Sequence, residues 1–150
     1  MLHMRRRTLL TLFGATGFGG AGLAWYTSVR PQPSTLVELE VVNYDDSPHT
    51  VEIRVSENSE VVYGRSIELE AAPTDIPPKS PVQVDLTEYP TEPGQYTIRA
   101  WLSDRPEAGR ASLEVGEYDA RCLGLRIHIG GPDQTGSDIA IWRTTESDNC

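Results

Sequence analysis

Beyond about residue 35 the chain repeats every two residues, a period that buries one side only as pleated strands. Val37, Leu39 and Val41 alternate with Glu38, Glu40 and Val42, and Val51, Ile53 and Val55 with Glu52 and Arg54. Val82, Val84 and Leu86 form a third set. Tyr96, Ile98, Ala100 and Leu102 share one face of the clearest strand, and Leu123, Leu125, Ile127 and Ile129 one face of another. Ala111 to Val115 and Ile139 to Trp142 are shorter runs of the same kind. Val61 to Leu69 is strand-like, with Gly64 expected at a bulge. Polar or Pro/Gly-rich segments separate these runs, at Asn43–Pro48, Ala71–Pro81, Pro90–Gly94, Asp104–Arg110 and Gly130–Asp138. The short turn Glu57-Asn58-Ser59-Glu60 predicts a hairpin from Thr50 to Leu69. No amphipathic helical period follows residue 30, so the pattern predicts an all-β, antiparallel sandwich of about 7–8 strands over residues 35–150.

The first 26 residues have a different character. Arg5-Arg6-Arg7 precedes an uncharged run of 19 residues, Thr8 to Tyr26, diluted by glycine. Arg6-Arg7-Thr8-Leu9-Leu10 fits a twin-arginine export signal, with Arg6 and Arg7 as the paired arginines. Gly22-Leu23-Ala24 offers small residues for cleavage. Left in place, the same run would span about 28 Å as a helix and serve as an anchor. Residues 1–26 are therefore read as a signal peptide or membrane anchor, residues 27–34, with Pro31 and Pro33, as a stiff linker, and the remainder as one domain outside the cytoplasmic membrane.

Charge narrows the partners. Beyond residue 24, ten basic residues stand against 22 acidic ones, a net of -12, and Lys79 is the only lysine. Such a surface repels nucleic acid and anionic headgroups, so neither is an expected partner, and membrane contact is expected only through an uncleaved N-terminal segment. An acid-rich, lysine-poor composition suits strong brine, where salt screens self-repulsion. In an exported chain, Cys122 and Cys150 read first as one disulfide closing a loop of about 28 residues. Two free thiols, or Cys122 as a metal ligand, are the alternatives.

The run Glu92-Pro93-Gly94-Gln95-Tyr96-Thr97-Ile98-Arg99-Ala100 resembles the Pro-Gly-x-Tyr-x-Val/Ile-x-Ala edge of immunoglobulin-like and fibronectin-type-III-like extracellular domains. With the leader and the acidity, the chain resembles small exported immunoglobulin-like β-sandwich proteins of haloarchaea. That resemblance implies a fold and an address, and carries no catalytic residues across.

Chemistry-bearing constellations are sparse. There is no Gly-x-Ser-x-Gly, His-Glu-x-x-His or Walker loop in the chain, so no enzymatic activity and no cofactor are expected. The alternative function is a cupredoxin-like copper or electron-transfer protein with His49, Cys122 and His128 as ligands. Asn43 to Val51 resembles the "N-x-D…H-x-V" segment of blue-copper domains, and Cys122 and His128 share a strand face. Against it, the only methionines are Met1 and Met4, a straight strand separates Cys122 from His128 by about 20 Å, and a disulfide would consume the thiol. His49 and His128 otherwise read as surface residues, and Asp45, Asp46, Asp133 and Asp138 as turn formers rather than Ca²⁺ ligands. Trp101, on the face of Thr97 and Arg99, either marks a partner surface or packs beneath a loop or against the Cys122–Cys150 segment. A third reading, a glycan-binding accessory domain, would use Trp101 and Tyr44. The leading expectation is a non-enzymatic extracytoplasmic structural or partner-binding protein.

Overall fold

Alternating apolar residues become eight strands in the computed structural model, which describes residues 32–75, 80–131 and 134–150. The expected leader, with Arg6 and Arg7, lies outside the described residues, as do Pro31 and Asp133. The strands are β1 (Thr35–Asn43), β2 (His49–Glu57), β3 (Glu60–Leu69), β4 (Val82–Asp85), β5 (Tyr96–Leu102), β6 (Ala111–Glu114), β7 (Cys122–Gly131) and β8 (Gln134–Ser147). Two short 3-10 turns, Glu107–Gly109 and Val115–Glu117, flank β6. Two four-stranded sheets result, in the orders β4-β1-β7-β8 and β3-β2-β5-β6. All pairings are antiparallel except β1 with β7, which is parallel. This parallel pair departs from the fully antiparallel expectation, because β1 and β7 meet through sheet crossovers rather than a tight turn.

The core lies between the sheets. From β7 come Leu123, Leu125, Ile127 and Ile129, from β5 Tyr96, Ile98, Ala100 and Leu102, and from β2 Val51, Ile53 and Val55, all buried. Each such large side chain contributes about 1.5–3 kcal/mol through the apolar surface it removes from water. The β2–β3 hairpin closes on Asn58 and Ser59, both left-handed at φ 50° and 68°. Two successive positive-φ residues make a turn whose twist matches the strands it joins, and asparagine tolerates that conformation well.

Three details depart from the two-residue period. On β1, Leu36 faces Leu123 and Glu38 faces Gly124, so Val37 is an inserted residue turned to solvent while Leu36 and Leu39 enter the core. On β3 the inserted residue is Val62, because Tyr63 faces Val55 and Val61 faces Ser56, whereas Gly64 pairs regularly with Arg54. The last strand runs on to Ser147, beyond the expected end at Trp142, by pairing along β7 as far as Cys122.

The Pro-Gly-x-Tyr run has a mechanical explanation. The Tyr96 hydroxyl donates to the Glu92 carbonyl at 2.7 Å, which pins the turn to the start of β5. A Cβ on residue 94 would lie 2.5 Å from Tyr96 Cζ, so only glycine admits the ring there. Gly94 also exchanges two backbone hydrogen bonds with Ser34, and the buried Ser34 hydroxyl donates to the Ala120 carbonyl at 2.6 Å. The turn thus ties the entry of β1 to the loop before β7. Gly94→Ala is expected to cost about 1–3 kcal/mol through overpacking. Tyr96→Phe, which removes only the hydroxyl contact, is expected to cost roughly 1 kcal/mol. Urea unfolding midpoints check both, and a glycine variant no weaker than the tyrosine one would refute the steric account.

Candidate functional site

Because odd-numbered β7 residues from Leu123 to Ile129 fill the core, Cys122, Gly124, Arg126 and His128 face outward. The parallel register sets Glu38, Glu40 and Val42 of β1 beside Gly124, Arg126 and His128. On this face Arg126 Nε donates to Glu40 Oε1, and Gln83 Nε2 from β4 donates to Glu40 Oε2 at 2.6 Å. Glu40 is only 1% exposed, a buried carboxylate held by two donors from neighbouring strands. The Arg126 pKa is raised, mainly by its hydrogen bond to Glu40. The Thr144 hydroxyl donates to Glu38 Oε2 at 2.6 Å, in space that a Cβ on Gly124 would occupy.

Three rings cross the same face. His128 stacks on Tyr44, just beyond β1, at 5.3 Å between centroids, and on Trp142 of β8 at 5.4 Å. The planes are within about 25° of parallel, and the steps are close to the roughly 4.8 Å between strands. The row therefore advances one ring per strand and ends at the edge strand with Trp142, 56% exposed. Burial, and secondarily the Arg126 charge, push the His128 pKa below its usual value. A histidine kept neutral by the fold binds fewer protons folded than unfolded. Its stability contribution is then complete above the unfolded value of about 6.5 and declines as pH falls from there through the folded value. Melting temperatures between about pH 7 and pH 5 should accordingly drop more for the native chain than for His128→Phe, which keeps a ring without a titrating group. Equal slopes would contradict this.

The residues named from sequence scatter. Cys122 is bonded to Cys150, with 5.5 Å between their Cα atoms, so its sulfur is no thiolate ligand. His49 opens β2, in the other sheet, and its Nε2 lies 2.7 Å from Asp45 Oδ2. Among the described residues no group of three His, Cys, Asp or Glu side chains is placed to hold a metal ion. The copper-like segment is a self-supporting loop. Asn43, fully buried, donates to the carbonyls of Ser47 and Glu70 at 2.9 and 2.8 Å and accepts from the Asp45 amide at 3.0 Å. Asp138 lies 3.9 Å from Arg105. Trp101 does face away from the core, but it is only 8% exposed beneath the Arg54 guanidinium, 4.9 Å from its ring centroid. Of the two residues raised for a glycan site, Tyr44, half-buried, belongs to the aromatic row and Trp101 does not. Sequence reading missed Trp142. Folding β7 onto β8 about the Gly130–Asp138 segment would have brought it diagonally beside His128.

No family model, no curated protein and no solved structure matches this chain. Among the described residues no helix is long and apolar enough to cross a membrane. The disulfide is compatible with an extracytoplasmic location, where thiols oxidise and stay oxidised.

Proposed function

We propose that this chain is an exported, non-enzymatic, immunoglobulin-like binding module of a salt-adapted cell, working outside the cytoplasmic membrane through the outer face of the β4-β1-β7-β8 sheet. The observation that carries the reading is the aromatic row ending in the exposed Trp142, set beside the ion pair of buried Glu40 with half-buried Arg126 that holds its strands in place. Large exposed aromatics on a rigid sheet anchor partners at little entropic cost.

The sheet orders support the immunoglobulin-like assignment. β6-β5-β2-β3 follows the G-F-C-C′ order of those sandwiches, and β7-β1-β4 follows A-B-E. Tyr96, at the start of the F-like strand with its hydroxyl on a carbonyl four residues upstream, has the form of the tyrosine corner. In this alignment β7 takes the place of the A strand but runs parallel to its B-like neighbour.

Two substitutions test the reading in intact cells. Arg6→Lys with Arg7→Lys should strand the protein in the cytoplasm with its cysteines reduced. Trp142→Ala should leave export and folding unchanged and release the protein from whatever envelope component retains it. Normal export of the double-lysine chain would refute the address, and unchanged envelope retention of the Trp142 variant would refute the binding face.

A further inference from the structure

We infer that the free edge of β8 receives an extended, arginine-bearing segment of another protein as a fifth strand of the β4-β1-β7-β8 sheet. The inference rests on the binding role proposed above and specifies its partner. Four observations converge on this edge.

The first is the edge itself. β8 is the longest strand, 14 residues, and ends its sheet. Exposed edges are ordinarily blunted by brevity, charge or a bulge. β4 and β6, at other edges, are four residues each, and β3 carries an inserted Val62. On β8 the inserted residue is Thr144, since Arg143 faces Leu125 and Thr145 faces Gly124. Ile139-Ala140-Ile141-Trp142 is left as a regular, uncharged edge with strong β-forming residues.

The second is a groove of about 470 Å³ on the inner side of that edge, where the sandwich opens between β8 and the β6 region. Leu113, Tyr118, Ile141 and Arg143 are among its walls. Alternate side chains of an added strand would enter it, and the intervening ones would lie over the outer face beside Trp142.

The third is the unfinished aromatic row. Trp101, Tyr63 and Tyr118 each carry an arginine over the ring, from Arg54, Arg65 and Arg143 at 4.9, 5.6 and 4.3 Å. Trp142 has His128 on one side and no such cap among the described residues. A residue on an added strand opposite Trp142 stands one strand spacing away, where a guanidinium completes the stack.

The fourth is charge. Glu146 lines the groove with Arg143, and Glu117, Asp119 and Asp148 join them in the adjoining pocket, four carboxylates against Arg143 there and Arg126 across from Trp142, itself paired with Glu40. Arg143 is already paired with Glu146. A second copy of this acidic chain would repel here, whereas a basic segment is drawn in.

Strand addition is tested with the full chain and peptides of about ten residues alternating valine and arginine. Binding should slow amide exchange at Ile139–Arg143, and Trp142→Ala should weaken it at least about tenfold, the scale of one lost cation–π contact. Glutamate in place of arginine, or N-methylation of every second peptide amide on the pairing edge, should each abolish it. Absence of binding by the Val/Arg peptide, equal binding of the acidic or N-methylated peptides, protection centred on β3 or β4, or a dimer paired through β8 without peptide would each overturn the inference. Should Trp142→Ala free the protein from the envelope while no such peptide binds, the binding face stands and strand addition fails. Should the variant stay on the envelope, the binding face itself fails.

Discussion

Replacing Cys150 by alanine is expected to lower the free energy of unfolding by about 3.5 kcal/mol, the chain-entropy value for a bridge closing a 28-residue loop. For a domain of this size that is a drop of more than about 10 °C in melting temperature. Two features of the site favour an effect near the full value. The loop contains nearly all of β7 and β8, so the freed chain gains the disorder of an entire hairpin. The bond also fastens Cys150 to the buried start of β7, beside the final strand pair Cys122–Ser147. Without it, Thr145, Glu146 and Ser147 retain backbone pairing on one side only, at the last pairs of the β7–β8 ladder. Guanidinium unfolding with and without reductant is the measurement. Reduced native protein and Cys150→Ala should coincide, and amide exchange should quicken first at Thr145–Ser147. A variant within about 1 kcal/mol of the oxidised protein would mean that the unfolded chain is already constrained without the bridge.

How much of this was legible in the chain depends on whether water touches one face of a strand or both. β5 and β7 each fill the core from one face and carry mainly polar or half-buried residues such as Thr97, Arg99, Arg126 and His128 on the other, so their alternation is regular, and the inward residues named from sequence are all buried. The Asn58-Ser59 turn was legible because a two-residue connection between strands leaves little choice of backbone. The end of β8 was not legible. Arg143 to Glu146 meet water on an edge strand, and no hydrophobic period marks a segment that buries nothing. Val37 misled for another reason. An inserted residue leaves composition unchanged and shifts the phase by one, so Leu36 takes the inward place. The aromatic row draws on Tyr44, His128 and Trp142: the β7–β8 hairpin sets Trp142 beside His128, but only the parallel β1–β7 pairing adds Tyr44. No local pattern specifies that pairing.

Arg126→Met is expected to cost about 3–5 kcal/mol, several times more than Glu40→Gln, although the two substitutions break the same ion pair. The asymmetry follows from where each charge is left. Glu40 is 1% exposed in mid-strand and keeps only Gln83 as a donor once the guanidinium is gone. A carboxylate that has surrendered its water and lost its counter-charge carries the desolvation cost uncompensated. The Arg126 side chain is 33% exposed, so without Glu40 it turns to solvent, and the loss is closer to that of one hydrogen bond, about 1 kcal/mol. Replacing both by neutral apolar residues of similar size should recover most of the stability, because no buried charge then remains. Recovery of stability need not bring recovery of order. Glu40 and Arg126 face each other across the parallel pair, and Gln83 reaches Glu40 from the opposite side, so the three polar groups are satisfied together only in this register of β4, β1 and β7. A slip of one residue would turn Leu39 and Val41 outward and strand the carboxylate in the core. The neutral double variant should therefore match the native melting temperature within a few degrees while its β1 and β7 amides exchange faster and the His128–Trp142 ring contact broadens in NMR spectra. An Arg126 variant no weaker than the Glu40 one, measured by urea unfolding at neutral pH, would show that water reaches the carboxylate and that the pair does not hold the strands in register.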